Sequence, residues 1–216
     1  MKTPNTIRRK TAMIATALAG TAAAAVLVAG TAQAAEIPDF ASRIVSAASG
    51  DINGDGKADL VMLLTPDEEA GEMDHGLLLM LGAGKGEDQI KPKAYYPDIV
   101  WGGLPDGMAG NRPSVKIAAN GSIRLFSHND SVGRNRWSQT LTLAWRDKKL
   151  MLAGFTYSSY DTLVEGGDAR KCDVNLLTGR GEREADDEEE QFELSLGPLT
   201  VEDWPRYRDD GFCGFE

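Results

Sequence analysis

Cysteine and histidine are almost missing from this chain: its 216 residues include two of each. So few thiolate and imidazole ligands leave no basis for a structural zinc site, which needs about four of them gathered together. No Gly-x-Ser-x-Gly elbow occurs, and with it goes the usual sequence sign of an α/β-type serine hydrolase. Basic residues are the minority, 23 against 33 acidic ones, for a net charge of −10. A chain of that sign is repelled by phosphate backbones, so nucleic acid is not an expected partner. Beyond Gly30 there is no second long apolar run, hence no further candidate for a membrane span. No acidic residue precedes Glu36, and no cysteine follows the first apolar run to carry a lipid anchor.

What is present at the N-terminus has the three parts of an export signal in order. Lys2, Arg8, Arg9 and Lys10 form a positive start, Met13 to Gly30 an apolar stretch of mostly Ala, Gly, Leu, Val and Thr, and Ala32-Gln33-Ala34 a small-x-small cleavage pattern. The competing reading is an uncleaved anchor. Ala, Gly and Thr insert weakly, however, and the stretch runs directly into the cleavage pattern. Residues 1–34 are therefore expected to be a signal peptide, and 35–216 a single β-rich domain, periplasmic or secreted. Arg8-Arg9 raises the twin-arginine route, although Lys10-Thr11 fit that signal poorly. The leader removes four basic residues and no acidic one, taking the charge from −10 to −14. In an oxidising compartment Cys172 and Cys213 are expected to pair; two separate buried thiols are the alternative.

Past Arg43 the pattern is one of short apolar runs broken by Gly, Asn, Asp and Pro, which reads as strands. Candidates are Ile44–Ala48, Leu60–Leu64, Leu77–Leu81, Ser114–Ala118, Ser122–Ser127, Trp137–Trp145, Leu150–Tyr157 and Asp173–Leu177. Asn120-Gly121 suggests a type I′ hairpin, and Gly82 to Gly86 and Arg146 to Lys149 suggest turns. The acidic run at residues 182–191 reads as a solvated, self-repelling loop, with diffuse binding of calcium or a cationic partner as its functional alternative. Thr200 with Glu202 and Asp203 behind it reads as the start of a short helix, Val201 to Arg208. The expected fold is mainly β: an antiparallel meander or sandwich, or a partial propeller-like sheet, with one short C-terminal helix.

Residues 51–59 carry the one motif with chemistry in its spacing: Asp51-Ile52-Asn53-Gly54-Asp55-Gly56-Lys57-Ala58-Asp59. Oxygen-bearing side chains recur at positions 1, 3, 5 and 9, with glycine at 6. Calcium takes six to eight oxygens at about 2.3–2.6 Å, and a curled chain that turns alternate residues inward can supply them. The candidate ligands are Asp51, Asn53, Asp55, the backbone carbonyl of Lys57, and Asp59. The segment is not an EF-hand, because position 12 is Met62 rather than a bidentate Glu and the flanks read as strands. Without that anchor, affinity is expected on the order of 10⁻⁵ to 10⁻³ M, as in extracellular modules. An ordinary Asp/Asn/Gly turn holding no ion is the plainer alternative.

The run Gly50 to Val61 resembles the calcium-loop signature of FG-GAP/VCBS repeats, the units of integrin-type β-propellers. The resemblance spans about Arg43 to Gly86. It implies a loop joining two strands of one blade and the ligand set named above. The rest of the chain resembles bacterial secreted proteins that carry a lone segment of this kind on a small β domain.

Other constellations carry less. Gly82 to Gly86 lacks the spacing and the Ser/Thr of a phosphate loop. Ser127-His128-Asn129-Asp130-Ser131 contains triad residue types, but neighbours along a strand or turn seldom face one another as a triad does. Trp101, Trp137 and Trp145 suit either a carbohydrate face or a β-domain core. No pair among the many carboxylates is singled out for glycoside chemistry. The expected function is a calcium-binding, non-catalytic exported domain acting on a partner such as another exported protein or a glycan. The rivals are a hydrolase without a sequence signature and a partner or inhibitor subunit.

Overall fold

The computed structural model describes residues 39–82, 89–103, 111–165, 168–185, 188–208 and 212–215. The export signal, Ala83 to Gly86 of the glycine-rich turn, and Asp186 and Asp187 of the acidic run lie outside them. After a four-residue helix, α1 (Asp39–Ser42), the described chain is eleven strands. A four-stranded sheet has the order β1 (Ile44–Gly50), β2 (Asp59–Leu64), β3 (His75–Gly82), β4 (Ile90–Val100). A seven-stranded sheet contains β5 (Ser114–Ile117), β6 (Ile123–Asn129), β7 (Asn135–Arg146), β8 (Lys149–Asp161), β9 (Arg170–Asn175), β10 (Arg180–Ala185) and β11 (Glu188–Glu193), also in chain order. Every strand pairs antiparallel with its predecessor within its sheet, so both sheets are meanders.

Alternation of apolar and polar residues fixes which face is buried. Val61 and Leu63 of β2, Leu77 and Leu79 of β3, Ile123 and Leu125 of β6, Leu141 and Leu143 of β7, and Leu150 and Leu152 of β8 join in one core cluster. The first strands of the two sheets lie against each other. A Cβ on Gly50 would fall 2.8 Å from Ile117 Cγ2, and Val115 N donates to Ser46 Oγ at 3.1 Å. A 3₁₀ helix, Val201–Arg206, closes the C-terminal side, where Asp203 Oδ2 accepts from both Thr200 N and Thr200 Oγ1. Beyond it a disulfide joins Cys213 to Cys172 in β9. No helix among the described residues is long and apolar enough to cross a membrane.

Three expectations need correction, and one strand has no counterpart among the expected ones. The acidic run is a hairpin rather than a loop: β10 and β11 pair residue by residue and extend the larger sheet. Charge makes that possible, because three bases face acids across the ladder. Arg183 stands opposite Glu190, Arg180 opposite Glu193, and Lys171 of β9 opposite Glu184. Phe192 lies over Gly181, filling the space a side chain there would take.

The Asn120-Gly121 turn is not type I′. Only Gly121 has positive φ, and the bond from Gly121 N to Ala118 O gives a three-residue loop closed by a glycine bulge. Both central residues have positive φ at Asp147-Lys148 instead. The predicted C-terminal helix is the shorter 3₁₀ turn, with Pro205 inside it.

Finally, β4 escaped sequence reading because Pro92 and Pro97 interrupt it. It is an edge strand, the position where a missing N–H is tolerated, and its register shifts at both prolines.

Candidate functional site

The Asp-rich loop spans the gap between β1 and β2. Its backbone is curled by Gly54 and Gly56, at φ +76° and +80°, a region that side chains with a Cβ rarely enter. A curled segment cannot satisfy its own amides through a ladder, so the side chains do it. Asp51 Oδ1 accepts from Gly54 N (2.8 Å) and Asp55 N (3.1 Å), and its Oδ2 from Gly56 N (2.9 Å). Asp55 Oδ1 accepts from Lys57 N at 2.9 Å. Asp59 Oδ2 accepts from Ile52 N (2.8 Å) and Asn53 N (3.3 Å). Six consecutive N–H groups, from Ile52 to Lys57, thus end on three carboxylates spaced four residues apart. Asn53 ties the middle together, its Oδ1 accepting from Asp55 N and its Nδ2 donating to Asp55 Oδ2.

The structure separates these residues by depth. Asp51 and Asp55 are exposed at the loop surface, Asn53 and Lys57 are half-buried, and Asp59 is fully buried. The second oxygen of Asp59 accepts from Gly82 N at 2.8 Å, so this one carboxylate fastens the start of the loop to the end of β3. An ionised carboxylate has about four acceptor sites; Asp51 and Asp59 each use three of them on backbone.

In donor chemistry the loop fits calcium: three carboxylates, one amide and one carbonyl lie within nine residues, all of them oxygen. Among the described residues, however, no three His, Cys, Asp or Glu side chains converge as a ready metal cluster. The turn between β5 and β6 backs the site, and a Cβ on Gly121 would lie 2.6 Å from Asp51 O. That contact joins the loop to the larger sheet, and nothing in the local sequence announces it.

The His128 region is arranged differently. His128 Nδ1 lies 2.7 Å from Asp130 Oδ2, and the ring stacks on Phe126 at 5.1 Å. Ser127 precedes it on β6 and points to the opposite face, where its Oγ is buried with no hydrogen-bond partner among the described residues. Ser131 Oγ accepts instead from Asn111 Nδ2 at 2.8 Å. The imidazole is oriented, but neither serine is held against it. His75, at the start of β3, is buried, and its ring nitrogens make no hydrogen bond of good geometry. Burial lowers its pKa, outweighing the nearby Asp74 charge and the Val100 backbone, which favour protonation; the Arg112 charge adds to the lowering.

Residues 45–62 match the FG-GAP repeat family, in a single copy that runs from β1 through the loop into β2. FG-GAP repeats usually occur in extracellular domains. No curated protein and no solved structure matches the chain.

Proposed function

We propose that this chain is an exported β domain that takes up one calcium ion at residues 51–59 and works as a binding module rather than an enzyme. The observation that carries the reading is the knot of side chains around the curled loop. Asp51, Asn53 and Asp55 already turn back onto one short arc of backbone, as an oxygen cage for a hard cation requires. Asp51, Asn53 and Asp55 would hold the ion by their side chains, Lys57 by its carbonyl, and Asp59 by the acceptor capacity that the backbone leaves it. When bound, calcium supplies the positive charge that offsets three carboxylates crowded into nine residues. The FG-GAP match over the same residues supports the reading, and so does the habitual extracellular setting of that family, where calcium is millimolar.

The protein's own part is to hold the β1–β2 connection in shape and, through the contact of Gly121 with Asp51 O, to brace the second sheet. Thermal melts in about 1 mM calcium and in EDTA test the proposal. The midpoint rises with calcium, falls with chelator, and loses that difference in Asp55→Ala. A wild-type protein indifferent to calcium sinks the reading.

A further inference from the structure

The strands β7 and β8 are patterned for burial along one face, yet that face is not buried along its whole length. Leu141 and Leu143 on β7 are enclosed, whereas Gln139 and Trp137, next on the same side, are only half-buried. On β8, Phe155 is enclosed and Tyr157, two residues on, is half-open. The open end of this face is a cleft of ≈ 400 Å³, within the range of small-ligand sites. Its floor is Phe155 against Trp204, ring centroids 5.8 Å apart. The indole N–H of Trp204 is spent on Ile99 O at 2.8 Å, and its ring is buried, so it supports the floor from beneath. Trp101 and Trp137 meet at 5.2 Å with their planes inclined by 54°, which makes a corner of two aromatic faces. Phe215, which also lines the cleft, is held in place by the Cys172–Cys213 bridge two residues before it and by Tyr157, 6.3 Å away.

Polar groups sit at the edge of this aromatic surface. Gln139 brings an amide that both donates and accepts, and Arg208 Nη1 donates to Asp74 Oδ2 at 2.8 Å. Each of two cations here has an acid beside it, Asp74 for Arg208 and Asp168, 3.5 Å away, for the Arg170 guanidinium that lies over the Phe215 ring, so the rim favours a neutral ligand over an anion. What suits flat aromatic faces with a mixed donor and acceptor rim is a ring that is apolar on its faces and hydroxylated around its edge. We infer that the cleft between Trp101, Trp137 and Phe215 binds a neutral saccharide, its pyranose face packed on the tryptophans and its hydroxyls on Gln139 and the Asp74–Arg208 pair. The inference rests on the reading of the domain as a binding module, and it does not depend on the calcium loop.

Titration of the full chain with neutral cello-, xylo-, manno-, malto- and chito-oligosaccharides, followed by tryptophan fluorescence and calorimetry, tests it. At least one series binds saturably. Trp137→Ala and Trp101→Ala each weaken that binding by about tenfold or more, while Phe126→Ala, an exposed aromatic outside the cleft, leaves it unchanged. Trp137→Phe, which keeps a ring, retains part of the affinity and covers the case in which the alanine variant does not fold. No saturable binding by any series overturns the inference, as does binding that both tryptophan variants leave intact. A stronger response to polygalacturonate, or to apolar peptides alone, overturns it too. Binding that persists in EDTA separates this site from the calcium reading. Release of shorter sugars would uphold the site while sinking the non-catalytic reading.

Discussion

Two parts of this molecule are dense in acid and solve the problem in opposite ways. In the loop between β1 and β2, aspartates accept N–H groups from their own segment, and six backbone amides in a row are satisfied by three side chains. Within the strands β10 and β11 the acids are glutamates, and those that are paired reach across the ladder to a base. Arg183 donates to Glu190 Oε2 at 2.7 Å and Lys171 to Glu184 at 3.0 Å. Side-chain length accounts for the division of labour. Aspartate is short enough to cap backbone two to seven residues away, whereas glutamate projects past its own strand to the neighbouring row. The aspartates shape a loop and leave acceptor capacity for a cation; Glu184, Glu190 and Glu193 are matched by the protein's own cations.

The largest effect that would break this comparison comes from Asp59→Ala. It strips acceptors from Ile52 N, Asn53 N and Gly82 N around a buried position, and the expected loss is about 2–4 kcal/mol of unfolding free energy in urea. A loss under about 0.5 kcal/mol would mean that the carboxylate does not organise the loop. Next comes Gly121→Ala, which combines a positive φ with a clash against Asp51 O. It is expected to cost about 1–3 kcal/mol and to blunt the calcium response as well. Calcium itself sharpens the contrast. Its effect on the melting midpoint disappears in Asp55→Ala and persists in Glu190→Ala, because the proposed site is the aspartate loop and not the acidic hairpin. Loss of the response in Glu190→Ala would move the ion to the wrong region.

A smaller effect sits in the first sheet, at a titratable group outside both regions. His75 is buried, with Asp74 and Arg112 as the charges near it. Its pKa is lowered on folding, so between the folded value and about 6.5 the unfolded chain binds more protons and stability falls as pH drops. His75→Leu is expected to remove that part of the acid sensitivity. An unchanged slope of unfolding free energy between pH 7 and pH 5 would reassign it.

The aspartate loop was legible in sequence because its chemistry is local: spacing, glycines and ligands all fall within nine residues. The flanking strands were legible for the same reason, as alternation written along a single segment. The hairpin was not, because its logic runs between strands. Read alone, residues 182–191 are a block of repelling charge; only the register that sets Arg183 against Glu190 and Glu184 against Lys171 makes them a sheet. The edge strand β4 was hidden by prolines whose missing N–H groups matter only in a central strand. Likewise, the aromatic cleft gathers Trp101, Trp137, Trp204 and Phe215 from segments up to 114 residues apart, and no window along the chain contains it.

The smallest effect tests whether the cross-strand pairs do more than tolerate one another. Arg183 and Glu190 are partly open to solvent, with side chains 31% and 60% exposed. Their attraction is therefore weakened by water, and a double-mutant cycle of Arg183→Ala and Glu190→Ala is expected to give a coupling of about 0.2–1 kcal/mol. Arg183 also donates to Cys213 O at 3.0 Å, so the single arginine variant should cost more than the coupling alone. Salt distinguishes the two acidic regions here. In about 1 M NaCl the Debye length shrinks to roughly 3 Å, and the Arg183–Glu190 coupling fades. The cost of Asp59→Ala, made of buried hydrogen bonds to backbone, stays where it was. If both effects fell together with salt, the loop would be held by surface electrostatics like the hairpin, and the division drawn between aspartate and glutamate would not stand.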